Sequence, residues 1–105
     1  MTDTVQYSLA MFSPHVGSKF QCQPELGKAC RLELVEATSR GGDPNASGKE
    51  CFSLVFHDPE ASADSYLPQA MYALEHDALG TLHIFIVPIG PDPDRQGMRY
   101  EAVFA

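Results

Sequence analysis

The sequence predicts an all-β domain: six short antiparallel strands, closed into a small barrel or folded into a sandwich, behind a short N-terminal helical segment. Three observations carry this. Apolar residues alternate with period two over most of the chain after Lys19, the pattern of half-buried strands. Clusters of Gly, Pro, Asn, Asp and Ser separate these runs at intervals too short for crossover helices, so the pairing is antiparallel. Six short strands in one open sheet would expose two edges, which closure removes. The 105 residues, 44% of them hydrophobic, suit one domain spanning 1–105 with a real core.

The elements follow in order. "SLAMFSPHVGSKF" spaces Leu9, Phe12 and Val16 at helical intervals, but Ser13-Pro14 also reads as a helix start, so residues 7–16 are expected to form one or two helical turns that stop at Gly17. "KFQCQ" is a short strand and "PELGKA" a turn. "CRLELVEAT" puts Arg31 and Glu33 on one face and Leu32 and Leu34 on the other, and "SRGGDPNASGKE" is the clearest loop. "CFSLVFH" places Phe52, Leu54 and Phe56 together, before the acidic loop "DPEASADSYLPQ". "MYALEH" and "TLHIFIVP" form a hairpin around Asp77–Gly80, with Asp and Gly at the first and fourth turn positions. "MRYEAVF" is the last strand. In "LHIFIVPIG", Leu82, Ile84 and Ile86 form one apolar face and Phe85 and Val87 another. The second face is therefore expected to lie under residues 7–16 or inside a homo-oligomer.

Charge excludes some functions. The net charge is −7, and the seven Lys and Arg are scattered. Nucleic acid, whose phosphates need clustered cations, is a poor partner, as is an anionic membrane surface. No apolar run approaches the roughly 18 residues of a membrane span, and the start has no secretory pattern. The odd set Cys22, Cys30 and Cys51, without a Cys-x-x-Cys, reads as free thiols in a reducing cytoplasm. A disulfide between Cys22 and Cys30 across their turn stays open.

Few residues suggest chemistry. Asp92, Asp94, Gln96 and Gly97 occupy positions one, three, five and six of a calcium loop, but position twelve is Val103, which has no oxygen, and the flanks read as strands. A turn is expected, with Asp92 and Asp94 solvated and Gly97 at positive φ. His57-Asp58 and His76-Asp77 are not dyads by adjacency, because neighbours on a strand face opposite ways. His76 and His83 flank the turn and could pair across it, with Glu75 or a cysteine completing casual metal pickup. His15 stands alone. Cys51 has no visible base, and no phosphate loop or nucleophile elbow occurs. Tyr72, Phe85, Tyr100 and Phe104 read as core. No catalytic, cofactor or metal site is expected. The reading is a non-enzymatic interaction module that packs on a protein partner or on itself. The alternative is a β-barrel that takes a small molecule in a mouth between the "SRGGDPNASGKE" and "DPEASADSYLPQ" loops.

The ordered pieces "FSPHVGSKF", "LELVEAT", "FSLVF", "LPQAMYALEH", "LGTLHIFIVPIGPD" and "MRYEAVF", from Phe12 to Phe104, resemble a family of small bacterial domains of unknown function. The family pattern has Gly where this chain has Ala70, and often Pro where it has Asp77. The resemblance implies no catalytic residues. Through an association with genes for phage tail-collar-like proteins, it implies a structural or assembly role.

Overall fold

The computed structural model describes residues 7–23, 29–40, 51–62 and 64–104. The turn expected over 24–29 and the loop over 39–50 fall largely outside the described residues. The fold is a closed barrel of six antiparallel strands: β1 (Lys19–Cys22), β2 (Cys30–Ser39), β3 (Phe52–Asp58), β4 (Ala70–His76), β5 (Gly80–Pro91) and β6 (Met98–Phe104), ordered β1-β2-β3-β6-β5-β4 around the barrel. The sandwich alternative is thereby set aside.

Closure follows from two one-residue irregularities. Between Leu34↔Phe56 and Glu36↔Val55, Val35 is an extra residue on β2. Between Pro88↔Tyr100 and Gly90↔Arg99, Ile89 is an extra residue on β5. Each bulge bends its strand and adds twist. The second also accommodates Pro88, which cannot donate to a ladder.

Alternation then fills the interior. Phe20, Cys22, Leu32, Leu34, Leu54, Phe56, Leu74, Ile86 and Tyr100 are wholly buried. The barrel is a packed core of the kind expected for so few strands.

The two ends are closed by different segments. The N-terminal piece is two turns, α1 (Leu9–Phe12) and a 3-10 turn at Ser13–His15. Ser8 caps α1 through its hydroxyl, which accepts from the Met11 amide at 3.3 Å. Pro14 starts the second turn, and Gly17, at φ +98, ends it. Phe12 enters the end where β2 finishes and β3 starts. Its ring centre lies 6.1 Å from Phe52, 6.1 Å from Phe104 and 6.5 Å from Phe20. The expected helical stripe is therefore Leu9 and Phe12 without Val16, which is exposed. At the opposite end, β3 finishes and β4 starts on diametrically opposed sides of the barrel. The connection between them must cross the mouth. It does so with Ala61 and Leu67 packed on the core and the Leu67 amide donating to Tyr100 Oη at 3.0 Å.

Two expectations are corrected here. Residues 7–16 plug a barrel end and do not cover the second face of β5, where Phe85 remains 46% exposed. The β2–β3 and β3–β4 connections leave from opposite ends, as consecutive antiparallel connections must, so the strand ends they join do not border a common mouth. Among the described residues, no helix is long and apolar enough to cross a membrane.

Candidate functional site

The calcium-like stretch is a turn that folds back over β3. Asp92 Oδ1 accepts from the Asp94 amide at 2.8 Å and the Arg95 amide at 2.9 Å. Its Oδ2 accepts from Arg99 Nε at 3.1 Å. These three donors tie both carboxylate oxygens into the turn and the start of β6. They also hold the Asp92 carboxyl below the usual carboxylate range, the Asp94 amide foremost, then the Arg95 amide and Arg99. Asp92 is 8% exposed, so it is not the solvated turn residue expected, while Asp94 is exposed as read. Burial arises because the loop lies against the end of β3. Gly97, at φ +118 as expected, comes so close to Asp58 that a Cβ there would overlap the Asp58 carbonyl oxygen.

His57 is held by the same loop. It is 2% exposed, and Nε2 donates to the Gln96 carbonyl at 2.9 Å, with Asp92 Oδ2 3.9 Å away. A carbonyl only accepts, so Nε2 carries the proton and Nδ1 is left buried without a partner. A ring so enclosed offers no base to a substrate at the surface. Its neighbour Asp58 caps the following turn, with Oδ1 accepting from the Glu60 amide at 2.9 Å.

The other histidines separate. His76 pairs with Gly80 and His83 with Ala73, so the two do not face each other across the hairpin as expected. The three-residue turn shifts the register away from that symmetric pairing. His76 Nδ1 accepts from the Ala78 and Leu79 amides at 3.0 and 3.2 Å, which leaves the proton on Nε2 to donate to Ser18 Oγ at 2.9 Å. Ser18 Oγ in turn donates to the His15 carbonyl at 2.6 Å. This relay ties the N-terminal plug to the hairpin. Burial lowers the affinity of His76 for a second proton, and nearby His15 adds to the effect. Among the described residues, no three His, Cys, Asp or Glu side chains gather to hold a metal.

Cys51 is half-buried just before β3, and its carbonyl accepts from the Arg40 amide at 2.8 Å. Cys22 and Cys30 stand directly opposite each other at the other end of the barrel. A depression of about 320 Å³ lies on the outer face, lined by Lys19, Gln21, Arg31, Glu75 and Asp77. It carries charges of both signs and is separate from the packed interior.

Several large apolar side chains gather on an outer face of the barrel. Met71 pairs with Phe85 across β4 and β5. They are 60% and 46% exposed. The last pair between β5 and β6 at this side is Val87↔Glu101. Phe85 and Val103 are each two residues from that pair, so alternation puts both on its outward face, and Val103 is 53% exposed. Beyond Val87↔Glu101 the two strands part. The Tyr7 hydroxyl accepts from the His83 amide at 3.1 Å, on the side of β5 that no longer meets β6, and the Tyr7 ring centre lies 5.9 Å from Phe104. An apolar row thus flanks a stretch of the barrel wall where the Tyr7 side chain stands in for a neighbouring strand. Phe85, expected in the core, is exposed, whereas Tyr72, Tyr100 and Phe104 are wholly or partly buried as expected. Strand alternation marked Phe85 and Val87 as a second apolar face, but sequence could not say whether anything covered it.

Residues 7–104 match the family model described as Domain of unknown function (DUF6916). No curated protein and no solved structure matches the chain.

Proposed function

This chain belongs to the DUF6916 family, and from that premise we propose that it is a non-enzymatic interaction module that docks a protein partner on the outer face carrying Met71, Phe85 and Val103. The observation that supports it most directly is Phe85. A large apolar side chain sits in an apolar row on a strand surface where alternation would place a polar residue, and solvent meets it instead of protein. Burying such aromatics supplies much of the energy at protein interfaces. The assembly role implied by the resemblance would use this face. A small molecule inside the barrel has less support, because side chains fill the interior.

The test places a photo-reactive phenylalanine analogue at position 85 in cells of the native source. A discrete cross-linked protein is expected, lost on Met71→Asp. The analogue at Gln21, on the outer face of β1, serves as control. No adduct at 85, or equal labelling at both positions, overturns the reading.

A further inference from the structure

We infer that Cys22 and Cys30 are a reversible dithiol–disulfide site that exchanges with low-molecular-weight disulfides. Cys22 and Cys30 are Cα partners in the β1–β2 ladder. Directly opposed residues of an antiparallel pair have Cα atoms about 4.5–5.5 Å apart, inside the roughly 4.4–6.8 Å that a disulfide spans. Both side chains take the inward face, since Phe20 and Cys22 alternate inward on β1 and Leu32 and Leu34 set the same parity on β2. No strand has to move for the sulfurs to meet.

The two thiols already interact. The facing Cys30 thiol favours a thiolate at Cys22, which lowers the proton affinity of Cys22 and raises that of Cys30. Burial and the Asp58 carboxylate work against ionisation of either thiol. One proton is thus held between the sulfurs while the other leaves more readily, so the first proton lost from the reduced pair is that of Cys22, whose thiolate can then accept the Cys30 proton.

Exposure sets the order of events. Cys22 is wholly buried and Cys30 is half-buried at the barrel end. A disulfide RSSR therefore meets Cys30 first. As Cys30 attacks one sulfur it passes its proton to the Cys22 thiolate and expels RS⁻, which takes that proton from Cys22 and leaves as RSH. The Cys22 thiolate then attacks Cys30 Sγ in the mixed disulfide and expels the second RS⁻. The net change oxidises two protein thiols to one S–S bond and reduces RSSR to two RSH. The bridge closes only a short hairpin loop, so it removes little unfolded-state entropy and resists reduction weakly, which suits reversible exchange. Cys51 precedes β3 at the opposite end of the barrel and takes no part.

The test uses the full chain with Cys51→Ser, equilibrated in glutathione mixtures of rising oxidised fraction. The expected result is that both remaining thiols disappear together in a monomer lighter by two hydrogens, and that dithiothreitol restores them. With Cys22→Ser added, Cys30 is expected to keep a glutathione adduct, because the resolving thiol is gone. Three outcomes overturn the inference: a persistent adduct at Cys30 beside a free Cys22 in the intact pair, a disulfide-linked dimer, or two thiols that survive the fully oxidised buffer. Circular dichroism of each variant checks that the barrel is intact.

Discussion

Arg99 Nε reaches Asp92 Oδ2 at 3.1 Å from the start of β6, so the turn after β5 is pinned to the strand that follows it. With the two amides on Oδ1, Asp92 organises the whole stretch 92–97. Asp92→Ala strips three donors of their acceptor and is expected to lower Tm by roughly 5–10 °C, read by thermal denaturation. The wild-type carboxyl ionises at lower pH when folded than when unfolded, so its contribution is complete above the ordinary carboxylate range. It is lost as pH falls through the depressed folded value. The acid limb of the stability curve should therefore be shallower in Asp92→Ala than in wild type.

Gly97→Ala tests the close approach of that turn to β3. The residue combines φ +118 with a Cβ position 2.6 Å from Pro59 Cα. The expected cost is about 3 kcal/mol. Gly90→Ala, at φ +116 but with open space around it, should lose only the backbone part, about 1 kcal/mol. Urea denaturation of the two variants compares them, and equal losses would contradict the packing described for Gly97.

Phe12→Ala empties the plug. Its ring is wholly buried among Phe20, Phe52 and Phe104, so a loss of about 3–5 kcal/mol is expected. Val16→Ala, four residues on but exposed, should change stability by less than about 0.5 kcal/mol. A small effect at Phe12 would mean that the N-terminal segment does not enter the barrel.

The relay from His76 through Ser18 to the His15 carbonyl needs a neutral ring, because Nδ1 accepts two amides. Burial, with His15 nearby, holds the folded proton affinity below the ordinary histidine value. The stabilisation is thus full above the ordinary histidine range and lost as pH falls through the folded value. An NMR titration should place His76 below a free histidine, and His76→Gln should flatten the stability profile from the ordinary histidine range down through the lowered folded value.

What sequence could and could not say divides along physical lines. Local signals worked: Asp77 and Gly80 marked the hairpin turn, Ser13-Pro14 split the N-terminal helix, and period two located all six strands. Quantities set by closure were hidden. Nothing in "LELVEA" or "VPIGP" shows that Val35 and Ile89 are extra residues, because a bulge answers to the partner strand. Asp92 looked solvated because its burial comes from a loop folding onto a distant strand. Phe85 and Phe56 are alike as letters, and only the topology separates an outward side chain from a core one. The facing of Cys22 and Cys30 depended on a register that composition does not fix.

The strand order carries a kinetic consequence. β1–β2–β3 and β4–β5–β6 are each meanders of sequence neighbours, and the wall closes only through β3–β6 and β1–β4. Those two ladders join residues far apart in the chain, so their loop-closure entropy must be spent before any contact rewards it. The slow event in refolding is therefore expected to be the mating of two preformed halves. Weakening the β3–β6 ladder, for instance with Val55→Gly opposite Glu101, should slow refolding in stopped-flow measurements. An equally destabilising change within the β4–β5 hairpin should mainly speed unfolding.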